Sequence, residues 1–493
     1  MIELVSKLQT IAQSKPDALA IQDASRQLTW SELLSEVDRL TELLLPYKQH
    51  VVAIYADNSI DWVAIDLACV AAQVISLPVP AFFSDEQQRH AIQQSGASAL
   101  IQANNSLAFS DLSVFGDLHL PLTAQLSLTP LAPSQEAAIP EGTQKITFTS
   151  GSTGQPKGVC LSQLNQISVA EALLSRTGLQ ATKHLCVLPL TTLLENLAGI
   201  YAPLLSGGSI IALPTEMLGF NGGRGFNVQL FLQTLTRYQP ESIVLLPELL
   251  LALVTAVESG WQAPISLKFM AVGGSRVSTE LLLKSEGLGL PVFEGYGLSE
   301  CSSVVSLNSP TDNKLGSVGK VLPHLKVHTQ DGEVVVEGNA FLGYINQSES
   351  WGSSTIHTGD LGYVDEAGFL HIDGRRKNLL ITSFGRNINP EWVESELLAN
   401  PIVSQAILIG DASAYCSALI QPRFDTVTDE MIDAWIQQVN KALPDYAQVM
   451  SWQRFDQALS FRAGTLTANG RPVRTAILSR HQHQIKALYK ELA

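Results

Sequence analysis

The segment from Thr149 to Gly158 reads TSGSTGQPKG and combines glycines, hydroxyl side chains and a lysine directly after the apolar run at residues 146–148. Glycine lets the backbone turn tightly and bring N–H groups close to an anion, hydroxyls add hydrogen-bond donors, and lysine adds positive charge. Lys157 and the position after a strand-like run favour a phosphate-binding loop over a flexible Gly/Ser connection. The P-loop of nucleotide hydrolases does not fit, because it has glycine before its lysine and Ser or Thr after it, where this chain has Pro156 and Gly158.

This segment resembles the signature loop of the adenylate-forming superfamily, which includes acyl-CoA synthetases, luciferases and the adenylation domains of peptide synthetases. The resemblance implies that the loop holds the β- and γ-phosphates of ATP and that Lys157 takes part in catalysis. The loop residues that it assigns to the nucleotide are Thr149, Ser150, Gly151, Ser152, Thr153 and Gly154.

A second string, FEGYGLSE at Phe293–Glu300, presents an aromatic ring between two glycines and then a hydroxyl and a carboxylate. A carboxylate beside a triphosphate suits Mg²⁺, which takes oxygen ligands from protein and phosphate together. Taken alone, the string would more often be a turn with a solvated glutamate. The resemblance implies that Tyr296 stacks on adenine, Ser299 contacts the α-phosphate and Glu300 binds Mg²⁺. It also assigns to the nucleotide site Gly273, Gly274, Ser275, Glu294, Gly295 and Gly297.

A third constellation lies between His357 and Asn378. Asp360 can accept two hydrogen bonds from a vicinal diol such as ribose, and Arg375 can donate a fork to ribose or phosphate oxygens. The resemblance implies these roles and places a hinge at Lys377. It also implies that Arg386, in the following segment, meets the phosphates of coenzyme A or phosphopantetheine.

The chain departs from the superfamily near its end, where a catalytic lysine is replaced by Arg471 in the string LTANGRPVR. That lysine bridges the attacking carboxylate and the α-phosphate. Arginine keeps the charge but is planar and bulkier, and loss of one well-placed donor typically costs about 10²–10³ in rate. Two hypotheses therefore stay open: an enzyme that uses Arg471, and a non-catalytic nucleotide-binding protein.

Composition narrows the class of protein. The chain has 493 residues and a net charge of −15, which predicts more than one domain and disfavours nucleic acid as a partner. Its five cysteines are scattered without C-x-x-C spacing, which argues against a disulfide framework or zinc site and for a reducing, cytoplasmic location. The longest apolar stretch, Trp62–Phe83, is interrupted by polar residues and proline and predicts a buried helix and strand, with no integral membrane segment.

The apolar pattern predicts an α/β fold. From about residue 20 to 300, short apolar runs such as His184–Leu190 and Ser242–Leu246 alternate with helical segments such as Val228–Tyr238, which indicates stacked βαβ units. Shorter strands after residue 315, for example in Gly332–Gly338, predict a small antiparallel or barrel-like subdomain. We expect an N-terminal domain at residues 1–375 and a small, mobile α+β domain at residues 376–493.

The resemblance implies an AMP-forming acid–thiol ligase that uses ATP and Mg²⁺. Leu188–Leu197 matches the place where amino-acid-activating members carry an aspartate, which is absent here, and a frequent histidine there is replaced by Thr192. A small carboxylic acid, fatty or aromatic, is therefore the expected substrate, with a fatty acid favoured. Coenzyme A is the expected acceptor, and the phosphopantetheine of an acyl carrier protein is the alternative.

Overall fold

Helices and short strands alternate along most of the chain. The computed structural model describes residues 3–104, 106, 109, 112, 119–132, 135–149, 156–221, 225–467 and 470–489. The α-helices are α1 (Glu3–Ser14), α2 (Trp30–Leu44), α3 (Ile60–Ala71), α4 (Asp85–Gln94), α5 (Gln163–Thr177), α6 (Leu193–Glu195), α7 (Ala202–Leu205), α8 (Val228–Tyr238), α9 (Pro247–Glu258), α10 (Thr279–Gly287), α11 (Pro390–Leu398), α12 (Asp429–Ala442), α13 (Arg474–Arg480) and α14 (Gln482–Leu488). The strands are β1 (Leu19–Gln22), β2 (Gln27–Thr29), β3 (Val51–Tyr55), β4 (Ile75–Pro78), β5 (Ala99–Ala103), β6 (Leu120–Pro121), β7 (Leu126–Pro130), β8 (Lys145–Thr149), β9 (Lys157–Leu161), β10 (Lys183–Leu185), β11 (Ser209–Ile211), β12 (Ser242–Leu245), β13 (Phe269–Val272), β14 (Val292–Tyr296), β15 (Ser306–Leu307), β16 (Lys320–Val321), β17 (Lys326–Gln330), β18 (Glu333–Glu337), β19 (Gly343–Tyr344), β20 (Thr355–Val364), β21 (Leu370–Arg375), β22 (Leu380–Ile381), β23 (Asn387–Ile388), β24 (Val403–Ile409), β25 (Cys416–Pro422) and β26 (Val449–Arg454).

Two large mixed sheets form the centre of the N-terminal part. One has the order β16-β15-β14-β13-β12-β10-β11-β1-β2 and is parallel from β14 to β1. The other has the order β19-β9-β8-β4-β3-β5-β7-β6, with β8, β4, β3 and β5 parallel. The parallel strands are apolar and mostly buried because helices cover them. This arrangement confirms the α/β prediction.

The remaining sheets are smaller. Strands β17, β18, β20 and β21 form an antiparallel sheet, as predicted for the region after residue 315. The C-terminal domain has the sheet β24-β25-β26 and the two-stranded ribbon β22-β23. Helices α11 and α12 pack their apolar residues on that sheet and form a separate core with it. The smaller α+β C-terminal domain is therefore confirmed.

Helix α3 and strand β4 account for most of the apolar stretch Trp62–Phe83, as the sequence predicts. The helix is buried along its length, with Asp66 fully inside the protein. Within the described ranges, no helix is both long and apolar enough to cross a membrane.

The predicted strand His184–Leu190 is shorter in the structure and ends at Leu185. Beyond it, the N–H groups of Leu188 and Leu190 donate to side chains instead of a sheet neighbour, at 2.9 Å to Glu195 Oε2 and 2.7 Å to Asn58 Oδ1. Pro189 also lacks the N–H that a central strand requires. The segment after Leu185 is therefore a loop that side-chain hydrogen bonds hold in place.

A helix with an irregular centre follows this loop. Between α6 and α7, residues Asn196–Tyr201 form a π-helix, a rare form that often occurs at functional sites. Its Asn196 and Tyr201 join a buried ion pair in which Lys145 Nζ lies 2.8 Å from Asp66 Oδ1. Because Lys145 begins β8, this network fixes the strand that leads into the predicted phosphate loop.

Candidate functional site

A cavity of about 1780 Å³ lies at the carboxyl ends of β12, β13 and β14, between the large sheets and the C-terminal domain. Open α/β sheets bind ligands at this edge, and single small-molecule pockets usually measure about 300–1,000 Å³. The cavity is therefore large enough for more than one ligand. The predicted residues that line it are Thr149, Gly273, Gly274, Ser275, Gly295, Tyr296, Gly297, Ser299, Arg375 and Arg471.

Asp360 lies directly behind two of these lining residues and is 4% exposed. Its carboxylate accepts a hydrogen bond of 2.6 Å from the Tyr296 hydroxyl and lies 3.0 Å from Arg375 Nε. Burial raises the pKa of Asp360, and the charge of Arg375, the bond from Tyr296 and the charge of Arg471 act against that rise. A carboxylate offers about four acceptor positions, so Asp360 can accept further donors beside these two.

Arg471 meets the glycine segment across the domain boundary. Its Nη2 donates to the carbonyl oxygen of Gly274 at 2.5 Å. Although the residue is accessible from the cleft, the surrounding protein lowers its pKa through desolvation and through repulsion from Arg375, while Asp360 opposes this shift. The guanidinium remains charged, because arginine side chains do not lose their proton in proteins. The structure thus places Arg471 on the wall of the cavity, and its catalytic role stays a prediction.

Glycine is required at two positions of this wall. A Cβ on Gly297 would lie 1.8 Å from the carbonyl oxygen of Ser303, so a side chain there would displace the backbone. Gly274 has φ +87°, which other residues rarely adopt. Gly297 therefore allows close packing against the Ser303 backbone, and Gly274 allows a left-handed backbone turn.

Glu300 and Lys157 meet at Tyr344. The Tyr344 hydroxyl donates to Glu300 Oε1 at 2.7 Å, and Lys157 Nζ lies 5.0 Å from the centre of the tyrosine ring. Burial and the Glu300 charge raise the pKa of Tyr344, so its hydroxyl stays a donor. The Glu300 carboxylate offers the kind of oxygen ligand that Mg²⁺ takes, and Lys157 offers a positive charge that suits a phosphate group.

Thr149 and Lys157 are paired across β8 and β9 at the two ends of the predicted phosphate loop. The loop residues Ser150, Gly151, Ser152, Thr153 and Gly154 lie outside the described residues. The structure therefore describes the flanks of the loop, and the assignments within the loop stay predictions.

Glu294 precedes the lining residues on β14 and is buried. Burial raises its pKa to about 7, against the opposing effects of Arg276 and of a hydrogen bond from the Val277 N–H. The carboxyl group thus faces the start of α10.

Two predicted residues lie elsewhere in the C-terminal domain. Arg386 is exposed, with its guanidinium carbon 6.0 Å from the ring centre of Tyr446. Lys377 lies in a 3₁₀-helix at Arg376–Asn378, just after Arg375. Burial and the Arg375 charge lower the pKa of Lys377, while Asp360 and Glu391 oppose this shift. The structure does not bring Arg386 into the cavity.

A buried polar cluster that sequence reasoning missed supports the cavity wall. Glu195 accepts from Leu188 N–H and lies 2.9 Å from His184 Nε2, and His184 Nδ1 lies 2.9 Å from the Ser242 hydroxyl. The Cys186 sulfur is close enough to complete a potential metal-ligand group with the histidine and the glutamate, but hydrogen bonds already connect those two. A glutamate inside the apolar run LLENL was the available signal, because such a residue is rarely buried without partners.

The inner half of the cavity is mostly apolar. Ser242 is paired with Phe269 and Val244 with Ala271, so these four side chains share one face of the sheet. Ala198 and Ala202, one helical turn apart, lie on the opposite wall, and their small side chains leave room between helix and sheet. The cavity ends among residues of α5 and the loop after it, namely Leu173, Leu174, Thr177 and Leu179.

Comparison with known proteins gives a match along most of the chain. A family model described as AMP-binding enzyme matches residues 8–346, and one described as AMP-binding enzyme C-terminal domain matches residues 377–493. A long-chain-fatty-acid–CoA ligase of Mycobacterium bovis is 28% identical over 460 residues, covering 79% of this chain and 75% of that protein. A 2-succinylbenzoate–CoA ligase of Bacillus subtilis is 27% identical over 425 residues, covering 81% of this chain and 83% of that protein.

Solved structures give the same fold. The anthranilate CoA ligase AuaEII in complex with anthranoyl-AMP has a TM-score of 0.81 at 18% identity, covering 97% of this chain and 96% of that chain. At this identity the likeness concerns the architecture, which agrees with the α/β fold and smaller C-terminal domain described above.

Proposed function

Because this chain belongs to the AMP-binding enzyme family, we propose that it activates a carboxylic acid with ATP and transfers the acyl group to coenzyme A. Both curated relatives reported above are named as acid–CoA ligases and align with about four-fifths of this chain. Activation joins the acid's carboxylate to the α-phosphate and releases pyrophosphate. The acyl-adenylate then reacts with a thiol and releases AMP.

The observation that carries this proposal is the position of Arg471. Its bond to Gly274 places a positive charge beside Arg375 and Asp360 at the nucleotide end of the cavity. In that place it would draw the acid's carboxylate to the α-phosphate and stabilise the charge that develops there. Arg471 thus supports an enzyme over the alternative of a non-catalytic nucleotide-binding protein.

The other residues would bind and orient the nucleotide. Asp360 would accept the ribose hydroxyls, sharing its oxygens with Tyr296 and Arg375, and the Tyr296 ring would stack on adenine. Lys157 would neutralise the outer phosphates. Glu300, held by Tyr344, would be the Mg²⁺ ligand, and the ion when bound would neutralise further phosphate charge.

The second half-reaction would use the opposite side of the C-terminal domain. Arg386 lies outside the cavity and is exposed, so it can reach coenzyme A phosphates at the site only after the domain turns. We place the hinge at Lys377, with domains at residues 1–375 and 376–493. The same rotation of the C-terminal domain would move Arg471 away from the cavity.

We further propose a fatty acid as the substrate. The cavity follows β12 from Leu246 to Ser242, a depth of about 13 Å at roughly 3.3 Å per residue. Ser242 and His184, two polar residues of this inner wall, are already bonded to each other. Such a wall favours an apolar chain over an acid with a second charged group, because a buried charge needs a partner.

A panel of acids tests the proposal. The protein is incubated with ATP, Mg²⁺, coenzyme A and saturated, aromatic or dicarboxylic acids, and pyrophosphate and acyl-CoA are measured together. We expect acid-dependent pyrophosphate release with an equal amount of thioester, greatest for saturated acids. Pyrophosphate release with thioester formed only on a carrier protein would identify that protein, instead of coenzyme A, as the acceptor. No release with any acid, despite ATP binding, would establish the non-catalytic alternative.

A further inference from the structure

The apolar end of the cavity lies close to a second cavity of about 470 Å³. This second cavity lies among residues of α1, α5 and α7 and opens at the surface. It is lined by Lys7, Thr10, Ile11, Glu171, Leu174 and Leu205. Across the described residues, Leu174 alone belongs to the walls of both cavities. The two spaces are therefore separated at this side chain.

Leu174 is placed to act as a partition. It lies on α5 next to Leu173, which is buried, while Leu174 itself is only half-buried. On the outer side, Lys7 forms an ion pair with Glu171 and joins α1 to α5 at the surface cavity. A leucine at this boundary separates the mostly apolar inner cavity from a solvent-exposed opening that carries charged side chains.

Two hydroxyl groups near the partition already donate hydrogen bonds within the protein and need no partner from a ligand. Thr177 donates to the carbonyl oxygen of Leu173 at 2.9 Å, and Ser206 donates to that of Pro203 at 2.7 Å. With these donors satisfied within their own helices, both residues can turn carbon atoms to the cavity. The end of the cavity therefore suits a methyl terminus, because a polar terminus would be left without partners.

We propose that Leu174 sets the upper limit on the length of the acid's chain. This inference rests on the proposed function, since it concerns the acid that the site activates. The terminal carbons of the longest accepted acid lie against Leu174, and a longer chain would have to displace it. Shortening Leu174 joins the two cavities and gives a longer chain room towards α1.

The test compares chain-length profiles for Leu174→Ala, Leu174→Trp and the unaltered protein. Saturated acids differing by two carbons are assayed for pyrophosphate release, and their equilibrium binding is measured by calorimetry without ATP. We expect Leu174→Ala to move the optimum to longer acids, with relative gains of up to about 15-fold for two added carbons, since each buried methylene contributes about fourfold in affinity. Leu174→Trp should move the optimum to shorter acids.

Leu205→Ala is the matched control, because Leu205 lines only the surface cavity and its loss should leave the profile unchanged. Thermal unfolding checks that each variant is folded. Folded variants with the unaltered profile in both assays would overturn the inference. If the unaltered protein releases no pyrophosphate, the proposed function fails, and the binding profiles still decide whether Leu174 limits chain length.

Discussion

At the scale of single residues, Arg471 is the side chain on which the proposed catalytic role of the site depends most. An arginine in place of a lysine keeps the charge and changes its shape, and the structure holds this arginine against the Gly274 carbonyl at the edge of the cavity. A bystander at this position would face solvent, away from Asp360 and Arg375. Its contact across the two domains instead makes it part of the wall.

We predict that Arg471→Ala slows pyrophosphate release by about 10²-fold or more, because in the proposed mechanism it removes the donor at the reacting phosphate. Transfer to coenzyme A from supplied acyl-adenylate should persist, while Arg471→Lys should retain much of the activation rate by restoring a positive charge. Single-turnover assays of each half-reaction separate these effects. Arg480→Ala, on the exposed part of α13, is the control. Release by Arg471→Ala within a few-fold of the unaltered protein would contradict the assignment.

Glu294 gives a prediction on pH. Its pKa of about 7 in the folded protein, above the ordinary value near 4.5, means that the folded state binds this proton more tightly than the unfolded state. The contribution of Glu294 to stability is therefore present below about pH 4.5 and is lost as pH rises through 7. By linkage the loss approaches about 3 kcal/mol.

Glu294→Gln removes this titration, so its stability relative to the unaltered protein should increase between pH 5 and pH 8. Denaturant unfolding at a series of pH values measures the difference. Glu286→Gln, at an exposed position of α10, controls for the loss of one negative charge. Parallel stability profiles for Glu294→Gln and the unaltered protein would show that the carboxyl is not buried as described.

At the scale of elements, local patterns predicted the parallel strands and several helices well. Helix α8 has the predicted bounds, Val228–Tyr238, and β12 lies within its predicted range. Buried parallel strands are continuous apolar runs, so their sequence is informative. The strand predicted to reach Leu190 was too long, because Glu195 and Asn58 bind its last N–H groups.

The π-helix shows why such features escape sequence analysis. Its Asn196 bonds to Asp66 and Lys145, which are distant in sequence, and no local periodicity reports that contact. The same holds for Tyr344, which meets Glu300 and Lys157 only in the folded chain. The motifs indicated the residue types of the candidate site. The side chains that hold those residues in position, such as Asn196 and Tyr344, are brought there by tertiary contacts that no local motif reports.

At the scale of the whole molecule, the C-terminal domain presents two different surfaces. Arg471 faces the cavity and Arg386 lies on the exposed surface beside Tyr446. A rigid domain in one orientation cannot place both at the same phosphate-binding site. If both residues act in the two half-reactions, the domain must turn, and a few residues near Lys377 must absorb the change in backbone angles.

Lys377→Pro tests this turn. Lys377 lies in a 3₁₀-helix, whose φ of about −50 to −70° is compatible with proline at about −65°. The variant should therefore keep the present orientation and form acyl-adenylate, while its fixed φ hinders the change to the other orientation. We expect thioester formation to fall at least tenfold more than acyl-adenylate formation, an estimate based on a restricted hinge limiting one step.

Lys377→Ala, which removes the same charge without fixing φ, is the control, and rapid-quench measurement of both half-reactions gives the ratio. Transfer of supplied acyl-adenylate at the unaltered rate in Lys377→Pro would mean that the hinge lies elsewhere or that Arg386 acts without domain rotation.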